Sequence, residues 1–156
     1  HDDWFRQQLT DGKHVPLISY LVGGDAFGMS AAWFDRPEGE ADGIGPHVDA
    51  LGRSEYPSNG ATIWYALDPV NEENGCLHYL AGSHRNDYPD VIPIPGIDND
   101  SDGAVTADLN AGDAVIHSAR TVHWSGANDS GQPRRAVSSF YFEARAYAAL
   151  QPDEED

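Results

Sequence analysis

The chain has 156 residues with 26 acidic side chains against nine Lys and Arg, a net charge of -17, and a field of that sign repels phosphate and argues against nucleic acid and anionic membrane as partners. With 40% hydrophobic residues it is expected to form one domain over 1–156, with a core at about 15–146 and an acidic tail at 151–156. No run approaches the ~20 apolar residues of a membrane span, nothing in the first residues reads as a basic stretch followed by an apolar signal segment, and the lone Cys76 cannot form an internal disulfide, so a reducing cytoplasm is the expected default location.

In chain order, the first residues read as a short helix, capped by Asp2 or Asp3, with Trp4, Phe5 and Leu9 on one side, ending before the stretch 11–16. Candidate strands follow at 17–22, 29–34, 45–50, 61–68, 76–82, 104–109, 113–118, 121–126 and 136–144. They are short apolar or alternating runs bounded by Gly, Pro, Asn and Asp, and long amphipathic helical patterns are missing. The class is therefore mostly β, a sandwich or barrel behind a short N-terminal helix. Asn74-Gly75 is read as a tight turn between strands.

Three stretches, 35–45, 52–60 and 86–103, read as loops. The last is long enough for a lid or substrate-facing role, with disorder as the alternative. Within it, Asp98, Asp100 and Asp102 ahead of Gly103 open like a calcium loop, but Leu109 stands where the closing Glu belongs, and a solvated acidic loop is the better reading. No Gly-x-Ser-x-Gly elbow and no phosphate-binding glycine loop occur, and Cys76 lies in an apolar strand that disfavours a thiolate.

His47-Val48-Asp49 is the more pointed feature. Residues i and i+2 of a strand face the same way, so both side chains can turn to one ion. A second His-x-Asp, His1 to Asp3, sits at the terminus with no apolar strand around it. Two His and one carboxylate on one side of Fe(II) leave three positions open, as iron oxygenases need. The third ligand is to be sought among His78, His84, His117 and His123. Of these, His123 stands in a strand-turn-strand stretch with Gly112-Asp113 ahead of it and Arg134 eleven residues after it.

His47-Val48-Asp49, the run 74–84 (NGCLHYLAGSH), Ala111-Gly112-Asp113, and the stretch from His123-Trp124-Ser125-Gly126-Ala127-Asn128 to Arg134-Arg135-Ala136 together resemble the phytanoyl-CoA dioxygenase family of Fe(II)- and 2-oxoglutarate-dependent oxygenases, over roughly residues 29 to 143. The resemblance implies a double-stranded β-helix, or jelly roll, with iron held by His47, Asp49 and His123. It further implies that Arg134 grips the distal carboxylate of 2-oxoglutarate, that Ser125 hydrogen-bonds the same group, and that Trp64 and Met29 line the co-substrate pocket. His84 is taken as supporting or structural, His78 and His117 as satisfied polar residues on strands, and Arg135 as a surface or ion-pair residue. His14 carries no signal. Members of the family carry a longer helical portion ahead of the first ligand than the 46 residues found here.

The implied activity is hydroxylation of a small-molecule substrate coupled to conversion of 2-oxoglutarate and O₂ to succinate and CO₂. Asp49 bears on the outcome, because related halogenases replace this carboxylate with a small residue. An acyl-CoA is not expected as substrate, since a chain with one Lys offers little basic surface to several phosphates. A non-catalytic jelly-roll binding module and a cupin-like metal isomerase or epimerase are the alternatives, and oligomeric state is left open.

Overall fold

The computed structural model describes residues 3–39, 42–50, 57 and 59–150. His1, Asp2, most of the 52–60 loop and the acidic tail lie outside the described residues. Among those described, two helices, α1 (Asp3–Asp11) and α2 (Val15–Val22), precede seven strands: β1 (Ala26–Arg36), β2 (Gly60–Ala66), β3 (Leu77–Leu80), β4 (Ala104–Ala107), β5 (Ala114–Ser118), β6 (His123–Ser125) and β7 (Arg134–Glu143). A last short helix, α3 (Ala144–Ala148), which the sequence pattern did not suggest, is capped by the Glu143 carboxylate accepting from the Ala146 N–H at 2.6 Å.

The strands form two antiparallel sheets, in the orders β1-β7-β2-β5 and β4-β3-β6. Alternation along β2 shows how they face each other. Trp64 and Ala66 point between the sheets and pack with Val70, Cys76, Leu77 and Ala136. Ala61 and Ile63 point the other way and pack with Ile18 and Val22 of α2 and with Tyr141. The larger sheet is thus covered by helices on one side and by the smaller sheet on the other, the arrangement expected of a jelly roll. No helix among the described residues is long and apolar enough to cross a membrane.

Two expected strands are corrected. The run 17–22 belongs to α2. Pro16 sits in its first turn, where a missing N–H is harmless. Ile18 and Val22, four residues apart, are buried while Leu17, Tyr20 and Leu21 are exposed, and a six-residue apolar run is too short to reveal that period. Gly23, at φ 84°, ends the helix in the left-handed conformation. The run 45–50 forms only an isolated bridge, His47 to His123, and then bends away. Pro46 at its start cannot donate to a ladder. Asn74-Gly75 does not close a hairpin either, for β2 and β3 lie in different sheets and Gly75 instead caps a 3-10 turn at Glu72–Asn74.

In this structure the long loop 86–103 packs against the smaller sheet. Ile94 is buried with Val48, Val122 and Trp124 on the outer face of the smaller sheet, and the Trp124 indole N–H donates to Asn99 at 2.7 Å. The loop also reaches the segment ahead of β2, where the Ile94 N–H donates to the Pro46 carbonyl at 2.7 Å. Asp98 folds back on its own loop, accepting from the Asp100 N–H and the Ser101 hydroxyl.

Asn128, completely buried, ties the end of β1 to the β6–β7 connection. Its Nδ2 donates to the carbonyls of Arg36, Pro37 and Gln132 at 3.0, 3.3 and 2.8 Å, and its Oδ1 accepts from the backbone and hydroxyl of Ser130. Asn128→Asp keeps the shape but turns an acceptor toward three carbonyls. It is expected to cost at least ~3 kcal/mol, seen as a lower urea midpoint at unchanged slope.

Candidate metal centre

Register decides which side chains meet between the sheets. On β6, His123 and Ser125 face inward, opposite Tyr79 and Leu77 of β3. On the larger sheet, Thr62 of β2 stands beside His117 of β5, Trp64 beside Ser138 of β7, and Arg134 of β7 beside Arg36 of β1. The segment carrying His47 and Asp49 is stitched to β6 by two backbone hydrogen bonds between His47 and His123, at 3.0 and 2.9 Å.

The ligand atoms of His47, Asp49 and His123 lie within 4.8 Å of one another. Each imidazole is oriented from behind, with Nδ1 against a backbone carbonyl: His47 against Gly45 at 2.8 Å and His123 against Thr121 at 3.0 Å. A carbonyl only accepts, so Nδ1 carries the hydrogen and the Nε2 lone pair faces inward, the arrangement metal-bound histidines show. Asp49 is placed in the same spirit. Its Oδ2 receives Thr62 Oγ at 2.6 Å and His117 Nε2 at 3.1 Å, and its Oδ1 lies 3.6 Å from His123 Nε2.

Protonation matches this geometry. Burial alone would raise the Asp49 carboxyl, but the His117 hydrogen bond, the neighbouring imidazoles and the Thr62 hydroxyl outweigh it and hold the group well below the usual carboxylate range. Burial pushes the His123 imidazole down to about 4, against the pull of Asp49. An ionised carboxylate and a neutral imidazole are the forms that ligate metal.

The three residues open onto a cavity of about 90 Å³ that also takes in Arg36, Trp64, Ser125 and Arg134. Arg134 is 2% exposed, donates to the Gly75 carbonyl at 2.7 Å, and lies with its guanidinium carbon 5.3 Å from the Trp64 ring centre. Gly75 has φ 78°, and a Cβ there would sit 2.6 Å from the Gly126 carbonyl oxygen, so only glycine can hold the conformation that turns the Gly75 carbonyl to Arg134. The Ser125 oxygen accepts from Arg36 at 3.0 Å and from the Ile44 N–H at 3.2 Å. Both its lone pairs are engaged, which leaves the hydroxyl hydrogen to donate.

Of the expected site residues, His47, Asp49, His123, Arg134, Ser125 and Trp64 are brought together, and Met29 is not. Met29 is the extra residue at the bulge where the β1–β7 register shifts between Gly28 and Ser30, and the cavity lining begins further along β1, at Phe34. His84 is corrected too, since it is exposed in the 3-10 turn Ser83–Arg85 while its buried neighbour Ser83 accepts from the Val122 N–H at 2.9 Å. His78 stacks on Trp124 behind the smaller sheet, and its Nδ1 finds no hydrogen-bond partner among the described residues. Arg135 pairs with Asp68 at 2.8 Å. Burial pushes the Cys76 thiol up to about 11, which leaves it inert.

Sequence reasoning missed Thr62, Arg36 and the part played by His117, read as a merely satisfied polar side chain. Alternation within β2 and β5 puts Thr62 and His117 on the same face as Trp64, a usable signal, but only the cross-strand register reveals that both meet Asp49.

The family model of phytanoyl-CoA dioxygenase (PhyH) matches residues 2–136. The dioxygenase lolE1 of Epichloe uncinata is 29% identical over 164 residues, covering 97% of this chain and 58% of that protein. Among solved structures, EvdO2 from Micromonospora carbonacea var. aurantiaca complexed with 2-oxoglutarate is similar at TM-score 0.78 and 27% identity, over 91% of this chain and 64% of that one. The epimerase SnoN in complex with Fe3+, alpha ketoglutarate and nogalamycin RO is similar at TM-score 0.74 and 30% identity, over 99% and 68%. The chain spans 26% to 58% of the length of curated relatives it matches. The family match takes in strands β1 to β6 and the start of β7, with His47, Asp49, His123 and Arg134 among the matched residues, and with it the chain belongs to the phytanoyl-CoA dioxygenase family.

Proposed function

We propose that the protein is an Fe(II)- and 2-oxoglutarate-dependent oxygenase that hydroxylates a small molecule. The observation that carries this reading is the convergence of two imidazoles and one carboxylate on a cavity that also holds a buried guanidinium. A 2-His-1-carboxylate set with open positions suits non-haem Fe(II), and a planar guanidinium suits a carboxylate.

In this reading His47, Asp49 and His123 hold the iron, which with 2-oxoglutarate and O₂ supplies the oxidising power when bound. Arg134 binds the distal carboxylate of the co-substrate, and Ser125 donates its hydroxyl hydrogen to the same group. Trp64 flanks the guanidinium and limits its orientations, while Phe34, Ile44 and Leu77 line the cavity with apolar surface and restrict water. Met29 has no part in it. The retained carboxylate at Asp49 favours hydroxylation over halogenation. The likeness to SnoN favours a second outcome at the same centre, epimerisation. A product one oxygen heavier than its substrate distinguishes the first from an unchanged mass in the second.

The substrate class is a small neutral or cationic metabolite rather than an acyl-CoA, supported by the net charge of -17. Saturable turnover of a CoA thioester would overturn that assignment.

With Fe(II), ascorbate and 2-oxoglutarate, the protein is expected to form succinate, and Asp49→Ala and Arg134→Ala to abolish it. Arg134→Lys keeps the charge but loses the two-pronged contact, and the KM for 2-oxoglutarate should rise roughly 10- to 100-fold, as loss of ~1.5–3 kcal/mol implies. Ligand binding that needs no iron, with no succinate formed, would indicate a binding module instead.

The ion-free chain carries an acid limit of its own. Below the ordinary imidazole value of 6.5, the unfolded chain protonates at His123, whereas the buried ring refuses the proton until about 4. The unfolded state then binds more protons, so stability falls as pH drops through that window, by about 3 kcal/mol. Thermal melts in chelator between pH 7 and 4 should show the slope, and His123→Gln should remove most of it.

A further inference from the structure

Asp49 has two oxygens, and the protein treats them differently. Thr62 and His117, cross-strand neighbours on the larger sheet, both approach Oδ2, at 2.6 and 3.1 Å. Both leave Oδ1 to face His123 Nε2, at 3.6 Å. Behind His117 the chain of contacts continues, since Tyr79 Oη lies 3.1 Å from His117 Nδ1. Tyr79 is the cross-strand neighbour of His123, so both ends of this chain rest on strands that build the metal centre.

Direction follows from the chemistry of the groups. A carboxylate only accepts, so His117 Nε2 carries a hydrogen and donates it to Asp49. The phenol of Tyr79 stays protonated, raised first by burial and then by the Asp49 charge, and its O–H is the donor available to close the chain at Nδ1. Tyr79 thereby selects the His117 tautomer that serves Asp49. His117 is buried and its ring lies 4.4 Å, centre to centre, from that of His123. Its Nε2 is nevertheless engaged with Asp49 Oδ2, and it is not one of the clustered ligands.

We infer that Tyr79 and His117, together with Thr62, are positioning residues that occupy Oδ2 of Asp49 so that the carboxylate presents a single oxygen, Oδ1, to the ion. The inference rests on the metal centre proposed above. A carboxylate free to offer both oxygens would take up a second position at the ion, one that the co-substrate and O₂ need; occupying Oδ2 from the sheet keeps that position open.

The test reads metal binding, not turnover. Chelator-treated full chain is titrated with Co(II) by calorimetry, and the visible absorption of the bound ion is recorded. Wild-type protein is expected to bind one Co(II). His117→Leu should weaken binding ~10- to 100-fold, the usual effect of removing a group that orients a ligand, and change the absorption band pattern. Tyr79→Phe, which deletes one oxygen, should shift both in the same direction by less. His117→Gln, whose amide can donate to Asp49 and accept from Tyr79, should restore most of the affinity. Thermal melts of the ion-free variants show which are folded. Wild-type affinity and spectrum in folded His117→Leu would overturn the inference while leaving the metal centre standing, and if that variant does not fold, an unchanged Tyr79→Phe overturns it equally. Wild-type protein that takes up no Co(II) would overturn the metal centre and the inference together.

Discussion

The antiparallel bridge between His47 and His123 is the contact on which the centre depends. Two backbone hydrogen bonds join residues 76 positions apart in the chain and make neighbours of imidazoles whose ring centres are 4.2 Å apart. Two residues further on, the chain turns in to deliver Asp49. A bridge so short would not persist alone, because it closes a long loop for very few hydrogen bonds. It is held by what surrounds it: Val48 packs with Val122, Trp124 and Ile94 on the far side, and the Ala50 N–H donates to the Ala119 carbonyl at 3.0 Å. The ligand atoms point into the space between the sheets only because the intervening residue is anchored outside it.

Electrostatics make the same interior selective. The protein is strongly acidic overall, yet one small cavity holds two guanidinium groups on adjacent strands, Arg36 and Arg134. The two are employed differently. Arg36 donates to the carbonyls of Asp42 and Gly126 and to Ser125, and so braces the loop that follows β1. Arg134 stands against the Trp64 ring and donates to the Gly75 carbonyl. Under the proposed function, that buried positive charge is what would receive the carboxylate of the co-substrate, while the acidic exterior repels large polyanions.

Much of this was legible in the sequence, and the parts that were not share a cause. Strands with clear alternation, such as 61–68 and 136–144, form within a few residues of their expected ends, because apolar side chains two apart must share a face. The run 17–22 was ambiguous because every position is hydrophobic or nearly so, and the choice of helix came from Pro16, Gly23 and the outer face of β2 waiting for cover. At 45–50 the same-face argument reached the right pair of side chains through the wrong local structure, a bend after a bridge rather than a strand. Thr62, His117 and Tyr79 were invisible as a group, since nothing along the chain tells which residues of β2, β3 and β5 will stand opposite one another. Met29 was placed by the family resemblance alone, and alternation back from Phe34 and Arg36, which line the cavity, puts it on the other face of β1.

The strand β6 is three residues long and has two audiences. His123 and Ser125 look into the sandwich, while Trp124 between them is clamped by Asn99 and covered by Ile94 of the long loop. Packed interiors transmit small displacements rather than absorbing them. Substitutions in that rear cover therefore offer a way to retune the ion's environment by a few tenths of an ångström without altering any donor atom, and natural drift in the loop has the same route of influence.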